Sequence, residues 1–384
     1  MTPPKTRLLK ELAEINPRAT HSVVDDLVSF VGMADLDEVA ARTSPGTPRR
    51  FSEVAKGYTP FQNGDLLAAK ITPCWQNGKV GEAALELQHG MGSTEFHVIR
   101  PGPEADRRYL LHYLRTPRVR DTGTLRMTGS GGQRRVPTKY ISDLTVPIPP
   151  LAEQRRIASI LDEADAIRTK RRVQLAHLDE LPRSLFNEVA DCQLQTVSLS
   201  EVATFTGGGT LPSGEQFSDQ ADGTLLLKVS DMNHPENDIF MRRAANWTRG
   251  KTLRSATLNS GAVVFPKRGA AIATNKKRIT TRRSALDPNL MGVSPNPNIL
   301  LTDYLYFWLQ SLDLLNISSG STVPQLNKKD LSPLSMSLPP LRIQQAFTDK
   351  VTAIRAERER VAKALDADEE LFAALQHRAF HGEL

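Results

Sequence analysis

Cysteine is nearly absent from the 384 residues. Only Cys74 and Cys192 occur, far apart, which excludes a disulfide scaffold, a cysteine-rich zinc site and a thioredoxin-like motif and fits a reducing cytoplasm. No apolar run approaches the roughly 20 residues that cross a bilayer, and the N-terminal MTPPKTRLLKELAEINPR has no apolar signal core. A secreted or membrane-spanning protein is therefore not expected, and no membrane partner. Charge of one sign does not dominate either: 49 Lys plus Arg against 43 Asp plus Glu leave +6, mildly basic and not histone-like. The remainder is the composition of a soluble protein of two or three domains, each able to bury its own core.

The chain repeats itself. Pro149-Pro150-Leu151 returns as Pro339-Pro340-Leu341 at an offset of 190 residues, and Glu11-Leu12-Ala13 returns as Glu201-Val202-Ala203. With small insertions Met33-Ala34-Asp35-Leu36 answers Val229-Ser230-Asp231-Met232, and the Gly64 to Leu67 turn before Lys70 answers Gly261 to Val264 before Lys267. Val136-Pro137 and Asp143-Leu144 then answer Val323-Pro324 and Asp330-Leu331. Matches in one order along the chain mark a duplicated module.

The segment after each Pro-Pro is helical. Phe347, Val351, Ile354, Arg358, Val361, Leu365, Asp368, Phe372, Leu375 and Ala379 step by four and three, the seam of a coiled coil; Ile157, Leu161, Ala164, Arg168, Arg171, Leu175, Leu178, Pro182, Leu185 and Val189 share that register. Proline donates no backbone hydrogen bond and disfavours helix in the residue before it, so each helix starts just after Pro-Pro. Pro182 is expected to end or kink the first helix late. Arginines and Asp368 in the seams make neither helix a strong zipper alone, so an antiparallel pair is expected. About 35–40 residues rising 1.5 Å each span roughly 55–60 Å, the length of a spacer. The segments before the helices carry short β-like runs (66–71, 96–99, 225–229) cut by Gly, Pro and Asn, with one helical stretch each (108–114, 302–312). The expected fold class is α+β: two similar globular domains, 1–148 and 191–338, alternating with helices at 149–190 and 339–384.

Basic residues cluster at matched places. Lys267 to Arg283 (KRGAAIATNKKRITTRR) contains no acid, and from Arg107 to Lys139 nine cations are opposed only by Asp121. Gly129 to Arg135 and Ser318 to Gln325 are small flexible loops at corresponding positions of the repeat. Such loops approach a phosphate backbone closely, and Arg and Gln have the paired groups that read guanine and adenine edges. A basic run alone is usually a solvated face; two at matched positions favour nucleic acid.

Strings that resemble enzyme motifs lack the context the chemistry needs. Phe205-Thr206-Gly207-Gly208-Gly209 imitates a methyltransferase cofactor loop, but no Asn/Asp-Pro-Pro-aromatic tetrapeptide accompanies it. Asp162-Glu163-Ala164-Asp165 spells a helicase box in the middle of a heptad helix, and Gly250-Lys251-Thr252 ends like a phosphate loop with Ala245 where its first glycine belongs. His89, His97, His377 and His381 have no companion ligands at metal spacing. Neither a catalytic constellation nor a bound cofactor or metal is expected.

The string Pro149-Pro150-Leu151-Ala152-Glu153-Gln154-Arg155-Arg156-Ile157-Ala158-Ser159-Ile160-Leu161-Asp162 resembles the start of the central conserved helix in specificity subunits of type I restriction-modification systems. Phe61 to Leu67 leading to Lys70-Ile71-Thr72-Pro73-Cys74, and Phe205 to Thr210 opening the second half, add to the resemblance, which spans essentially the whole chain. The second copy departs at Arg342-Ile343-Gln344-Gln345, where of Ala152-Glu153-Gln154-Arg155 only Gln154 is matched, by Gln344. The resemblance implies a non-catalytic subunit whose globules are target recognition domains, each reading half of a split asymmetric DNA sequence, with paired helices as the ruler. It implies double-stranded DNA, two modification subunits and restriction subunits as partners, with adenosylmethionine, ATP and Mg on those partners. A type IIB-like or methylation-only system is the alternative; a self-sufficient methyltransferase and a coiled-coil scaffold for protein or RNA are weaker rivals. Within this reading Lys70, Lys139, Lys267, Lys276 and Lys277 are expected on phosphates and Gln133, Arg134, Arg278 and Gln325 on bases or grooves, with Arg135, Arg268 and Lys328 completing the DNA-binding set. Helix pairing or subunit contact is expected of Ile157, Leu161, Ala164, Leu175, Leu178, Phe347, Val351, Ile354, Val361 and Leu365.

Overall fold

The two Pro-Pro steps act as expected. Each leads at once into an uninterrupted helix, Leu151–Ala190 in the centre of the chain and Leu341–His381 at its C-terminus. A computed structural model describes residues 5–18, 26–190, 195–218, 223–249, 253, 257–320 and 323–384. Cys192, Gly250-Lys251-Thr252 and residues 321–322 of the second loop lie outside the described residues. The chain divides into two units, Met1–Gln174 with Val361–Leu384, and Leu175–Arg360.

In the first unit the strands Ala13–Ile15, Phe96–Pro101, Leu66–Ala69, Val80–Glu82, Arg42–Thr43 and Leu36–Asp37 form a sheet in that order, and Thr47–Arg50, Leu27–Val31, His89–Gly92 and Thr59–Gln62 form another. The helix Arg107–Leu114 packs Tyr109, Leu110 and Leu111 into the core that Leu66 and Ile99 line. All four residues of Leu66–Ala69 are buried, because both faces of this strand are covered.

The second unit repeats the plan. Ala203–Gly207, Leu290–Pro295, Val263–Pro266, Arg278–Thr280 and Phe240–Met241 make one sheet; Glu215–Gln216, Asn246–Thr248, Thr224–Leu227, Ser284–Leu286 and Thr257–Leu258 make the other. The helix Thr302–Gln310 takes the place of Arg107–Leu114: Tyr304 donates to the Ser337 carbonyl as Tyr109 does to that of Pro147, both at 2.8 Å.

The long helices pair antiparallel in each unit. In the first, Ile157, Ala158 and Leu161 of the central helix share a core with Phe372 and Ala379 of the C-terminal one, and Ala164 packs at its edge. In the second, Phe186 packs with Phe347 and Val351. Val361 is buried, while Leu175, Leu178, Ile354 and Leu365 are half-buried along the seam. The polar seam residues find partners: Arg168 bonds Glu369 at 2.6 Å and lies 3.5 Å from the Phe372 ring centre, Arg171 bonds Asp368, and Arg358 bonds Asp179.

Of the two outcomes expected at Pro182, termination does not occur: the central helix runs through it to Ala190. Pro182 is itself buried, so packing compensates the hydrogen bond it cannot donate. The seam also shifts by one residue beyond it, with Phe186 fully enclosed and Leu185 only partly.

Gln154 and Gln344 explain why one residue of the helix start is kept in both copies. The Gln154 side chain accepts from the Asp106 amide at 2.8 Å and donates to the Glu104 and Pro149 carbonyls at 3.0 and 2.9 Å. Gln344 does the same with the Leu301 amide (2.8 Å) and the Ile299 and Pro339 carbonyls (2.9 and 2.8 Å). Each amide locks its long helix to the start of the short helix of the globule. Glu153, by contrast, only pairs with Arg156 at the surface.

Candidate nucleic-acid interface

Each domain builds its loop from a strand end. In the first, Leu66–Ala69 ends at Lys70, whose amide donates to the Glu95 carbonyl and whose carbonyl accepts from the Val136 amide, both at 2.8 Å. Thr128 and Arg135 close a hairpin by two backbone hydrogen bonds of 2.9 and 2.8 Å. Its tip passes through Gly131 and Gly132, both left-handed (φ 63° and 77°), a turn side chains resist. Thr72 fastens the loop by accepting from the Arg134 amide and donating to the Gly132 carbonyl.

The second domain repeats these bonds. The Lys267 amide donates to Asn289 and the Lys267 carbonyl accepts from Leu326, both at 2.8 Å, while Ser319 and Gln325 close the hairpin at 2.9 and 2.8 Å. This corrects the alignment drawn from sequence. Val136 corresponds to Leu326, not Val323, and Leu144 to Leu334, not Leu331, because the Leu9 amide donates to Leu144 as that of Leu199 does to Leu334. The offset of 190 residues set by the Pro-Pro pairs holds through the hairpin base. Dipeptides recur by chance in loops, whereas ladder bonds count the backbone.

The side chains divide into presented and internal ones. Gln133, Arg134, Lys139, Arg268 and Lys328 are exposed; Lys70, Lys267, Lys276, Arg278 and Gln325 are half-buried. Arg134 donates one amino group to the Met127 carbonyl at 2.9 Å, and Gln325 donates to Asn327 at 2.9 Å. Arg135 forks onto Glu95 (3.0, 3.0 and 2.7 Å), so its charge is already partnered. Lys276 bonds Asn233, and Arg278 donates to the backbone carbonyls of Asn237 and Lys277.

Lys277 must be withdrawn from the interface. It is 0% exposed, and its ammonium donates to Asn275 and to the Leu312 carbonyl, each at 2.7 Å. The acid-free look of the basic runs also misleads, because acids arrive from elsewhere: Arg107 meets Glu82, Arg108 meets Asp162 and Arg115 meets Asp165. Asp162 also bonds buried His112 at 2.7 Å; burial works against its charge, but these two bonds win and hold its carboxyl down to about 2. The helicase-like string is thus an anchor of the central helix.

Two cations of the first basic run, Arg118 and Arg126, were not among the expected DNA-binding residues, whereas Lys139 was. Arg118 and Arg126, with Lys139, line a cleft of about 520 Å³ at the foot of the first hairpin, and among the described residues none of the three has a side-chain hydrogen bond or ion pair. The acid at its rim, Asp143, is taken by Lys10 at 2.9 Å. Gly207 to Gly209 border the second hairpin base: a Cβ on Gly208 would stand 1.7 Å from the Asp287 carbonyl oxygen, so this glycine is there for close backbone approach. His97 is buried against the Val136 carbonyl, and among the described residues no group of three or more His, Cys, Asp or Glu is placed to hold a metal ion. No helix of the described residues is long and apolar enough to cross a membrane.

The chain is a duplicated α+β module with a cation-bearing hairpin in each copy, each copy sharing its core with a stretch of the paired long helices. Comparison with known families agrees: the model described as "Type I restriction modification DNA specificity domain" matches residues 5–177 and again 193–363. The chain belongs to this family, the specificity subunits of type I restriction-modification systems. It is similar to the Escherichia coli type I restriction enzyme EcoAI specificity subunit (34% identical over 191 residues, 48% of this chain and 32% of that one). The EcoEI specificity subunit of the same organism is 38% identical over 151 residues, 39% and 25% of the two chains. The chain thus spans about a third and a quarter of the lengths of these two relatives. The fold is shared with a chain solved in a study of complex assembly and conformational transition of the type I R-M system (TM-score 0.63, 18% identity, 100% and 99% coverage). It is also shared with the type I S subunit from M. genitalium (TM-score 0.57, 14% identity, 98% and 96% coverage).

Proposed function

We propose that this chain is the non-catalytic DNA-reading subunit of a cytoplasmic type I complex, with each globular domain addressing one half of a split, asymmetric target. The observation that carries the reading is the repeated hairpin base: Lys70 with Arg135 and Lys267 with Gln325 hold the same backbone bonds in both domains. Two modules on long helices suit half-sites about one DNA turn, roughly 34 Å, apart, and the helices act as the ruler. Exposed Lys139, Arg118, Arg126 and Arg268 supply phosphate contacts, which position the protein without reading sequence, while Gln133, Arg134 and Gln325 supply base or groove contacts. Modification subunits, two per complex, dock on the helices and bring adenosylmethionine and adenine methylation; restriction subunits add ATP- and Mg-dependent translocation and cleavage.

Methylome sequencing of host DNA with and without this gene tests the reading. Loss of N6-methyladenine at one two-part motif with a fixed gap is the expected result. Unchanged methylation with the gene expressed overturns it. Methylation present without cleavage of unmodified DNA identifies the methylation-only variant.

A further inference from the structure

The two hairpin bases share their hydrogen bonds but not their charge. Glu95 and Asn289 hold the same place: each accepts the amide of the strand-end lysine at 2.8 Å, and each donates its own amide to the residue two positions earlier, Ser93 or Asp287. In the first domain the Glu95 carboxylate lies in the fork of Arg135, with Lys70 adding its field. The hydrogen bond from Arg135 outweighs burial and keeps this carboxyl below the usual glutamate range. The first domain therefore carries an anion of its own at the hairpin base.

The second domain does not. Asn289 replaces the carboxylate and Gln325 replaces the arginine, while Lys267 is joined by Arg268 where the first domain has Ile71. Among the described residues neither Lys267 nor Arg268 has an ion pair or side-chain hydrogen bond. The carboxylate whose field reaches Lys267 is Asp287, and it is engaged by the Asn289 amide at 2.8 Å. Burial and the Arg268 charge push the Lys267 ammonium down, a strain that a bound anion relieves. Gly207 leaves the approach open: a Cβ there would come 3.3 Å from the Lys267 Nζ. Lys328 adds a third cation, 5.9 Å from the centre of the Phe205 ring in the strand that ends at Gly207.

We propose that Lys267 and Arg268, beside Gly207, bind one backbone phosphate of DNA in the position that the Glu95 carboxylate fills in the first domain. The inference rests on the DNA-binding reading above and adds to it an asymmetry: the second hairpin base makes a salt-sensitive phosphate contact at this place, whereas in the first the Arg135 charge is already paired with Glu95.

The test uses the chain co-expressed with its modification subunits and titrated over a salt series with two duplexes, one carrying the motif found by methylome sequencing and one of unrelated sequence. Asn289→Glu installs the missing carboxylate. It is expected to lower the slope of log affinity against log salt by about one and to weaken both duplexes by the same factor, since a phosphate contact carries no sequence information. Lys267→Ala should do the same, and the two changes together should lose no more than either alone. Glu95→Gln frees Arg135 and should raise the slope by about one. Asn289→Gln, similar in size and neutral, should bind like the parent. A parental slope in Asn289→Glu or Lys267→Ala overturns the proposal, as does equal loss in Asn289→Gln. Absence of salt-dependent DNA binding in the parent complex instead removes the DNA-binding reading itself.

Discussion

Lys277 shows how far a residue's environment departs from its neighbours in sequence. It stands between Lys276 and Arg278 yet is enclosed, and burial, only partly opposed by the Asp313 charge, pushes its ammonium down to about 8 from 10.5. A lysine whose pKa falls on folding binds fewer protons in the folded chain than in the unfolded one between these two values. Stability of the second unit is therefore expected to rise as pH climbs from about 8 to 10.5, with the full penalty of the buried charge present below that window. Denaturant unfolding across the window checks this: Lys277→Met should flatten the rise, and an identical slope in parent and variant would assign the pH dependence to another group.

At the scale of elements the decisive contacts are the two glutamine clamps. Gln154→Ala removes three hydrogen bonds of a buried side chain and leaves the Asp106 amide and two carbonyls at a partly buried helix start without their partner. A loss of about 2–4 kcal/mol is expected, and the same from Gln344→Ala in the other copy. Glu153→Ala, next to the first clamp, should cost less than about 1 kcal/mol because its ion pair with Arg156 is exposed. Thermal unfolding of the three variants orders them; a Glu153 effect as large as that of Gln154 would contradict the clamp.

For the molecule as a whole, each stretch of long helix belongs to the core of its own unit. Leu161 packs with Tyr109, Leu110 and Phe372 in one core, and Phe186 with Tyr304 and Phe347 in the other. Leu161→Ala and Phe186→Ala are each expected to cost about 3–5 kcal/mol. Hydrogen exchange should quicken in Phe96–Pro101 and Leu66–Ala69 for the first variant, and in Leu290–Pro295 and Val263–Pro266 for the second. Uniform loss of protection from either change would mean that the units do not open separately.

The duplication, the two helix starts, the seam and the β-like runs at 66–71 and 96–99, which form strands over Leu66–Ala69 and Phe96–Pro101, could be read from the sequence, because proline chemistry and apolar periodicity act over a few residues. So could the places of the hairpins, which glycine marks. Which cations face outward could not. Arg135 is met by Glu95 forty residues away, Arg108 by Asp162, and Lys277 by the Leu312 carbonyl; nothing local to these arginines and lysines announces their partners. Pro182 escapes local reading for the same reason, since local rules register a missing hydrogen bond but not the burial that compensates it. The sequence by itself thus determined the family, the repeat and the helical frame. Only the tertiary structure decided which charges are free, because the availability of a charge depends on what distant chain folds against it.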